Sequence, residues 1–136
     1  MDCAAPLRVT QIAAAAQAIA ASEVLSRAGH EIVVVAAGCH PGRALPPSFL
    51  EEFDAPVTVL ASPGFIFRAD RGVDMTHTLL HALRHALDWR RSLSRLRQVL
   101  DETRPDVVLN FFEPVMGLLQ RVAPVRVPVL SVAHQF

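Results

Sequence analysis

The sequence predicts an α/β fold, a Rossmann-like parallel sheet with crossover helices. Three observations carry the prediction. Short apolar, β-branched runs alternate with longer stretches of helical periodicity, which is the pattern of strand–helix–strand units. The clearest run, Ile32 to Ala37, is apolar without a break, as suits a strand covered on both faces. The last stretch, Arg104 to Phe136, holds two apolar runs, Val107–Leu109 and Val127–Val132, around a helical-looking segment. Each of those runs ends in polar residues: Asn110 and Glu113 after the first, His134 and Gln135 after the second. Open parallel sheets bind ligands beyond the carboxyl ends of their strands, so this edge is where a site is expected.

In chain order, Pro6 to Ala28 reads as one helix. Val9, Ile12, Ala16, Ala20 and Val24 recur at helical spacing, and alanine is the strongest helix former. Gly29 suits its C-cap, and His30-Glu31 the turn into the first strand. Gly38 to Pro47 reads as loop, and Ser48 with Glu51 as a capping box opening a short helix through Phe53. Pro56 to Leu60 is a second strand, and Ala61 to Gly72 a loop that carries Phe65 and Phe67. Those aromatics either pin the loop to the core or touch a ligand. Asp74 to Thr103 is the longest helical pattern, with a break expected near Asp88. Its apolar positions are Met75, Leu79, Leu80, Leu83 and Leu87, then Leu93, Leu96 and Leu100. Pro105 stops it. A doubly wound domain normally opens with a strand and a glycine-rich turn. Only Leu7 to Val9 offers such a strand, and no glycine precedes Gly29.

Composition narrows the function classes. The chain has 136 residues, 51% apolar and 19% charged, which suits one globular α/β domain over residues 1–136. Its formal net charge is zero, against the basic excess of a nucleic-acid protein, so no nucleic-acid partner is expected. All 13 basic residues are arginine. Cys3 and Cys39 are too few for a disulfide framework and form no CxxC pair, which points to a reducing cytoplasm. The alanine-rich run Ile12–Ala21 lacks the basic start and strong apolar centre of a secretory signal. No stretch reaches the roughly 18 apolar residues of a membrane span.

Few motifs carry chemistry. His77, His81 and His85 are spaced by four and line one helical face, but Thr78 stands where a zinc protease needs Glu, so no metal is expected. The arginines between Arg84 and Arg97 could face phosphate or anionic lipid. Asp88, Asp101 and Glu102 interleave with them, which reads as a solvated face. No P-loop or G-x-S-x-G pattern occurs, and adjacent Cys39 and His40 make a poor thiol–base pair. Glu113 is the best candidate. It follows a strand and precedes Pro114, which can sit at a first helical position. A carboxylate there is either a helix cap or a site residue, and the two polar strand ends side by side favour the site.

Five segments, in order, resemble one family: RAGHEIVVV (Arg27–Val35), PVTVLASPGFIF (Pro56–Phe67), RGVDM (from Arg71), RPDVVLNFFEP (Arg104–Pro114) and VPVLSVAHQF (Val127–Phe136). Their order and spacing resemble the N-terminal lobe of bacterial GT-B glycosyltransferases, nearest a group distantly similar to the lipid II-forming N-acetylglucosaminyltransferase. In that family two Rossmann-like lobes face each other, the first holding the acceptor and the second the nucleotide sugar. The resemblance implies that Asn110, Glu113, His134 and Gln135 face the cleft and that the Pro63–Phe67 loop borders it. Glu113 and His134 are then the catalytic candidates, with Asn110, Gln135, Gly64 and Phe65 binding substrate. The family's Gly-x-Gly-x-Gly-His loop should fall near Val9 to Ala14, where this chain has Val-Thr-Gln-Ile-Ala-Ala. The sequence also stops at Phe136, directly after the His-Gln motif, so that on this resemblance the nucleotide-sugar lobe is expected to be absent.

The expectation is therefore an incomplete GT-B N-terminal lobe, inherited from an enzyme that moves a sugar from a nucleotide-sugar donor to an acceptor, and inactive alone. A nucleotide sugar would bind only with a donor lobe supplied by another chain; no cofactor is called for. The acceptor is membrane-associated or a small molecule, and the location cytoplasmic, with a peripheral position at the inner membrane left open. The alternative is a non-catalytic acceptor- or partner-binding fragment of a split or disrupted gene. A sheet lacking its central strand would expose edges and self-associate.

Overall fold

The computed structural model describes residues 5–13, 15–37, 51–52, 55–62, 72, 74–111 and 113–132. The element order is β1 (Arg8–Ala13), α1 (Ala15–Arg27), β2 (Glu31–Ala36), β3 (Val57–Val59), α2 (Met75–Arg84), α3 (Ala86–Thr103), β4 (Val107–Asn110), α4 (Pro114–Val122) and β5 (Val129–Ser131). The strands form a five-stranded sheet in the order β3-β2-β1-β4-β5, and every pairing is parallel. The fold class predicted from sequence is the one observed.

The start of the chain corrects the reading of one helix over Pro6 to Ala28. Arg8 to Ala13 is a strand, and it is the centre of the sheet, paired with β2 from Arg8↔Glu31 to Ala13↔Ala36 and with β4 from Val9↔Val107 to Ile12↔Asn110. The expected helical stripe does not exist: Val9 and Ile12 lie in the strand, and Val24 on α1 is 67% exposed. Helix propensity differs between residues by only ~0.7 kcal/mol. Ladder bonds on both sides of a β-branched Val-Thr-Gln-Ile run outweigh that preference. The sheet has its centre, so the expected self-association through a missing strand loses its basis. The position expected for the glycine loop is corrected too, because Val9 to Ala13 belong to the strand itself.

Alternation along the strands sorts side chains onto two faces. Ile12, Val35 and Val108 point to one face, where α3 supplies Leu96, Val99 and Leu100 and α4 supplies Val115, Met116 and Leu119. Ile32 and Val34 point to the other, under Ile19 and Leu25 of α1. Gln11 shares that second face and is fully buried; Ser22 of α1 donates to its Oε1 at 3.2 Å, tying helix to strand.

The ends of the helices are locally encoded. Gly29 takes φ +85° after α1, as its C-cap role requires. The His30 and Gly29 amides bond back to the carbonyls of Leu25 and Ser26, closing the last turn. The long helical pattern breaks at His85 rather than near Asp88. Asp74 caps α2, accepting the His77 amide at 3.0 Å. Arg104 ends α3 in the left-handed region, at φ 44° and ψ 61°. An L-residue there is strained by its own Cβ, and Arg104 is exposed, so Arg104→Gly should raise stability by about 1 kcal/mol. A urea melt checks this; an unchanged or lower midpoint would contradict it.

Candidate active site at the switch point

The chain reverses its course across the sheet between β1 and β4. From β1 it builds outward to β2 and β3, then returns to lay β4 and β5 on the other side. The carboxyl ends of β1 and β4 therefore flank a crevice, the place where doubly wound sheets bind ligands. The two ends are locked together. Ile12 lies opposite Asn110. The Phe111 amide donates to the Ile12 carbonyl at 2.8 Å, and the Val132 amide to the Asn110 carbonyl at 2.8 Å.

Asn110 and Glu113 stand at this crevice. Asn110 is the last residue of β4 and is 7% exposed; Glu113 is 9% exposed. The Glu113 amide donates to Asn110 Oδ1 at 3.1 Å, inside the protein. Through this bond the Asn110 side chain ties the start of α4 to the end of β4. Glu113 occupies the N-cap of α4 with extended backbone, and Pro114 follows at the start of the helix. Its carboxylate makes no capping hydrogen bond to the helix. Glu113 is thus the N-cap by position, as its place before Pro114 suggested, without a side-chain capping bond. A carboxylate beside the positive end of a helix has its charge stabilised there.

The remaining sequence candidates distribute unevenly. His134, Gln135, Gly64 and Phe65 lie outside the described residues, as do Cys39, His40 and most of the short helix expected after Ser48. The histidine ladder is occupied within its own helices. His77 Nδ1 sits 2.8 Å from Asp74 Oδ2 and His85 Nδ1 3.1 Å from Asp88 Oδ2, while the His81 and His85 rings lie 4.4 Å apart. Among the described residues no three His, Cys, Asp or Glu side chains come together to hold a metal.

Gln11 is the buried polar residue of the central strand that sequence reading missed. It sits one residue before Ile12 on the central strand, opposite Leu109, and was hidden by the helical reading of β1. The β-branched Val9, Thr10 and Ile12 around it were the available signal. A cavity of about 600 Å³ lined by Ser22, Glu23, Arg27, His30 and Glu31 opens at the other edge of the sheet, where β2 begins. It lies away from the strand ends that define the crevice.

Comparison with known proteins agrees with this architecture. A crystal structure of MurG from Acinetobacter baumannii superposes with a TM-score of 0.57 at 18% identity, over 94% of this chain and 35% of that one. The likeness is one of fold, and the chain spans about a third of that structure's length. Among curated proteins none matches. No helix among the described residues is long and apolar enough to cross a membrane. The family model for glycosyl transferase family 1 matches residues 13–136, from the end of the central strand onward. The chain belongs to glycosyl transferase family 1.

Proposed function

We propose that this chain is the acceptor-side lobe of a GT-B glycosyltransferase, and that Glu113 is the base that takes the proton from the acceptor hydroxyl. The observation that carries the reading is the placement of Glu113: a buried acidic residue just past β4 at the switch point, its backbone amide held by Asn110 Oδ1. Sugar transfer to a hydroxyl needs a proton acceptor within reach of that oxygen and separate donors to stabilise the departing diphosphate. Glu113 meets the first need. The second falls to a donor-binding lobe, supplied either by another polypeptide or elsewhere in a longer one. On this reading residues 1–136 do not transfer sugar by themselves. His134 and Gln135, which follow β5 in sequence, would join Glu113 at the crevice, and Gly64 and Phe65 would border it. We further infer a cytoplasmic protein placed at the periphery of the inner membrane, acting on a membrane-associated acceptor; the outward apolar side chains of α2 support that position.

Reconstitution tests the proposal. The purified chain should give no binding heat with UDP or UDP-sugars, and should restore sugar transfer when combined with a donor lobe of the same family. Binding of UDP by the chain alone, or failure of every tested donor lobe to restore transfer, would count against it. A second reading, a non-catalytic partner-binding fragment, predicts no transfer in any combination.

A further inference from the structure

The central strand carries a hydroxyl that the fold does not use. Thr10 alternates with Ile12 along β1, so its side chain lies on the face covered by α3. It is fully buried, and among the described residues its Oγ1 has no hydrogen-bond partner. Buried hydroxyls without a partner are costly, and native structures seldom keep one. Thr103 on α3 shows the ordinary solution, donating its hydroxyl to the Val99 carbonyl at 2.7 Å. Thr10 instead lines a cavity of about 400 Å³ between α3 and the first residues of β1 and β2, where Val33 and Val99 supply apolar wall. The volume suits a small molecule. The cavity opens toward the amino ends of the strands, whereas Asn110 stands at a carboxyl end.

The polar rim of the cavity is balanced in charge. Arg8 and Glu31, the first residues of β1 and β2, pair at 3.0 Å. Arg95 and Glu102 stand about two turns, roughly 10 Å, apart along α3. Arg95 is exposed and has no ion-pair partner among the described residues. Glu102 accepts the neutral Gln98 amide at 2.6 Å, which leaves most of its acceptor capacity open.

We propose that this cavity binds a short zwitterionic peptide of small residues, with its carboxylate on Arg95, its ammonium at Glu102 and a peptide group on the Thr10 hydroxyl. Charge selects the class. A phosphate would meet Glu31 and Glu102, and a polyamine would meet Arg8 and Arg95; a zwitterion complements both signs. The direction follows from α3, whose C-terminal end beside Glu102 favours a cation. Length selects the size, because an extended chain of about three residues covers the distance between the two charges. The Thr10 hydroxyl both donates and accepts, so a peptide N–H or a peptide carbonyl satisfies it. The site is independent of the role given to Glu113.

Titration of the full chain with trialanine, followed by nuclear magnetic resonance, tests this. The Thr10, Val33 and Val99 amides should shift, and those around Asn110 should not. N-acetyl-trialanine amide, which lacks both charges, should bind at least roughly tenfold more weakly. R95Q and E102Q, both at exposed positions, should each weaken trialanine binding by roughly three- to tenfold. T10V should weaken it by a similar factor and yet raise the urea midpoint of the free chain, because it deletes a hydroxyl that has no partner there. Those opposite signs separate a hydroxyl directed at a ligand from a structural one. No shift at the three amides, or equal shifts with the capped peptide or with inorganic phosphate, would overturn the proposal. So would a lowered midpoint in T10V, which would show the hydroxyl already satisfied by water. If T10V does not fold, R95Q and E102Q decide alone, and wild-type affinity in both would overturn the site.

Discussion

Glu113→Gln is expected to lower sugar transfer by about 10²–10⁴-fold in the chain completed with its donor lobe, the usual contribution of a positioned base. The amide keeps the shape of the carboxyl group and its place ahead of Pro114, so stability and acceptor binding should change little. What it loses is the capacity to take a proton. The loss should therefore fall on kcat rather than KM. The wild-type rate should fall as pH drops and the carboxylate is protonated, and the variant should lack that limb. An equal loss through KM, or a pH profile unchanged by the substitution, would assign Glu113 to binding instead. Asn110→Ala supplies the companion measurement, since Asn110 Oδ1 holds the Glu113 amide at 3.1 Å. Asn110→Asp retains an acceptor oxygen at that atom and should recover much of the lost rate; a purely structural residue would show no such recovery independent of stability.

The second large effect is on stability. Ile12 is fully buried on the central strand and packs in the cluster with Val35, Leu96, Val108 and Met116. Ile12→Ala should cost about 2–5 kcal/mol, through lost transfer energy and the cavity left behind. That is a large share of the ~5–15 kcal/mol that stabilises a typical domain. The urea midpoint should fall accordingly, with the slope of the transition preserved. A cost below about 1 kcal/mol would be inconsistent with Ile12 lying in a rigid, doubly covered strand.

Ile12 lies in a stretch whose sequence pattern suits a helix, although the fold makes it a strand. In Arg8 to Ala28 the alanines fit any period, so helical spacing could be traced through Val9, Ile12 and Val24 without a physical cause. Strand pairing is non-local: β1 gains its ladder from Glu31–Ala36 and from Val107–Asn110, segments distant in sequence. Elements whose signals are local were legible. Gly29 after α1, Asp74 and Pro105 around the long helical pattern, and Pro114 opening α4 each act through their own backbone or nearest turn.

The site divides along the same line. From sequence alone, the parallel α/β class, the polar strand end at Asn110 and Glu113, and the resemblance to GT-B glycosyltransferases were all determined, because apolar runs, turn residues and motif order are properties of the chain itself. Only the tertiary structure decided that β1 is central, so that the end of β4 faces a switch point and not an edge. It alone decided that the Asn110 side-chain oxygen holds the Glu113 amide, and that the Glu113 side chain makes no capping bond to α4. It alone decided that the leucines of α2 face outward while those of α3 face the core. The reason is common to all three. Periodicity states which residues share a face, but which way that face turns depends on what the rest of the chain packs against it.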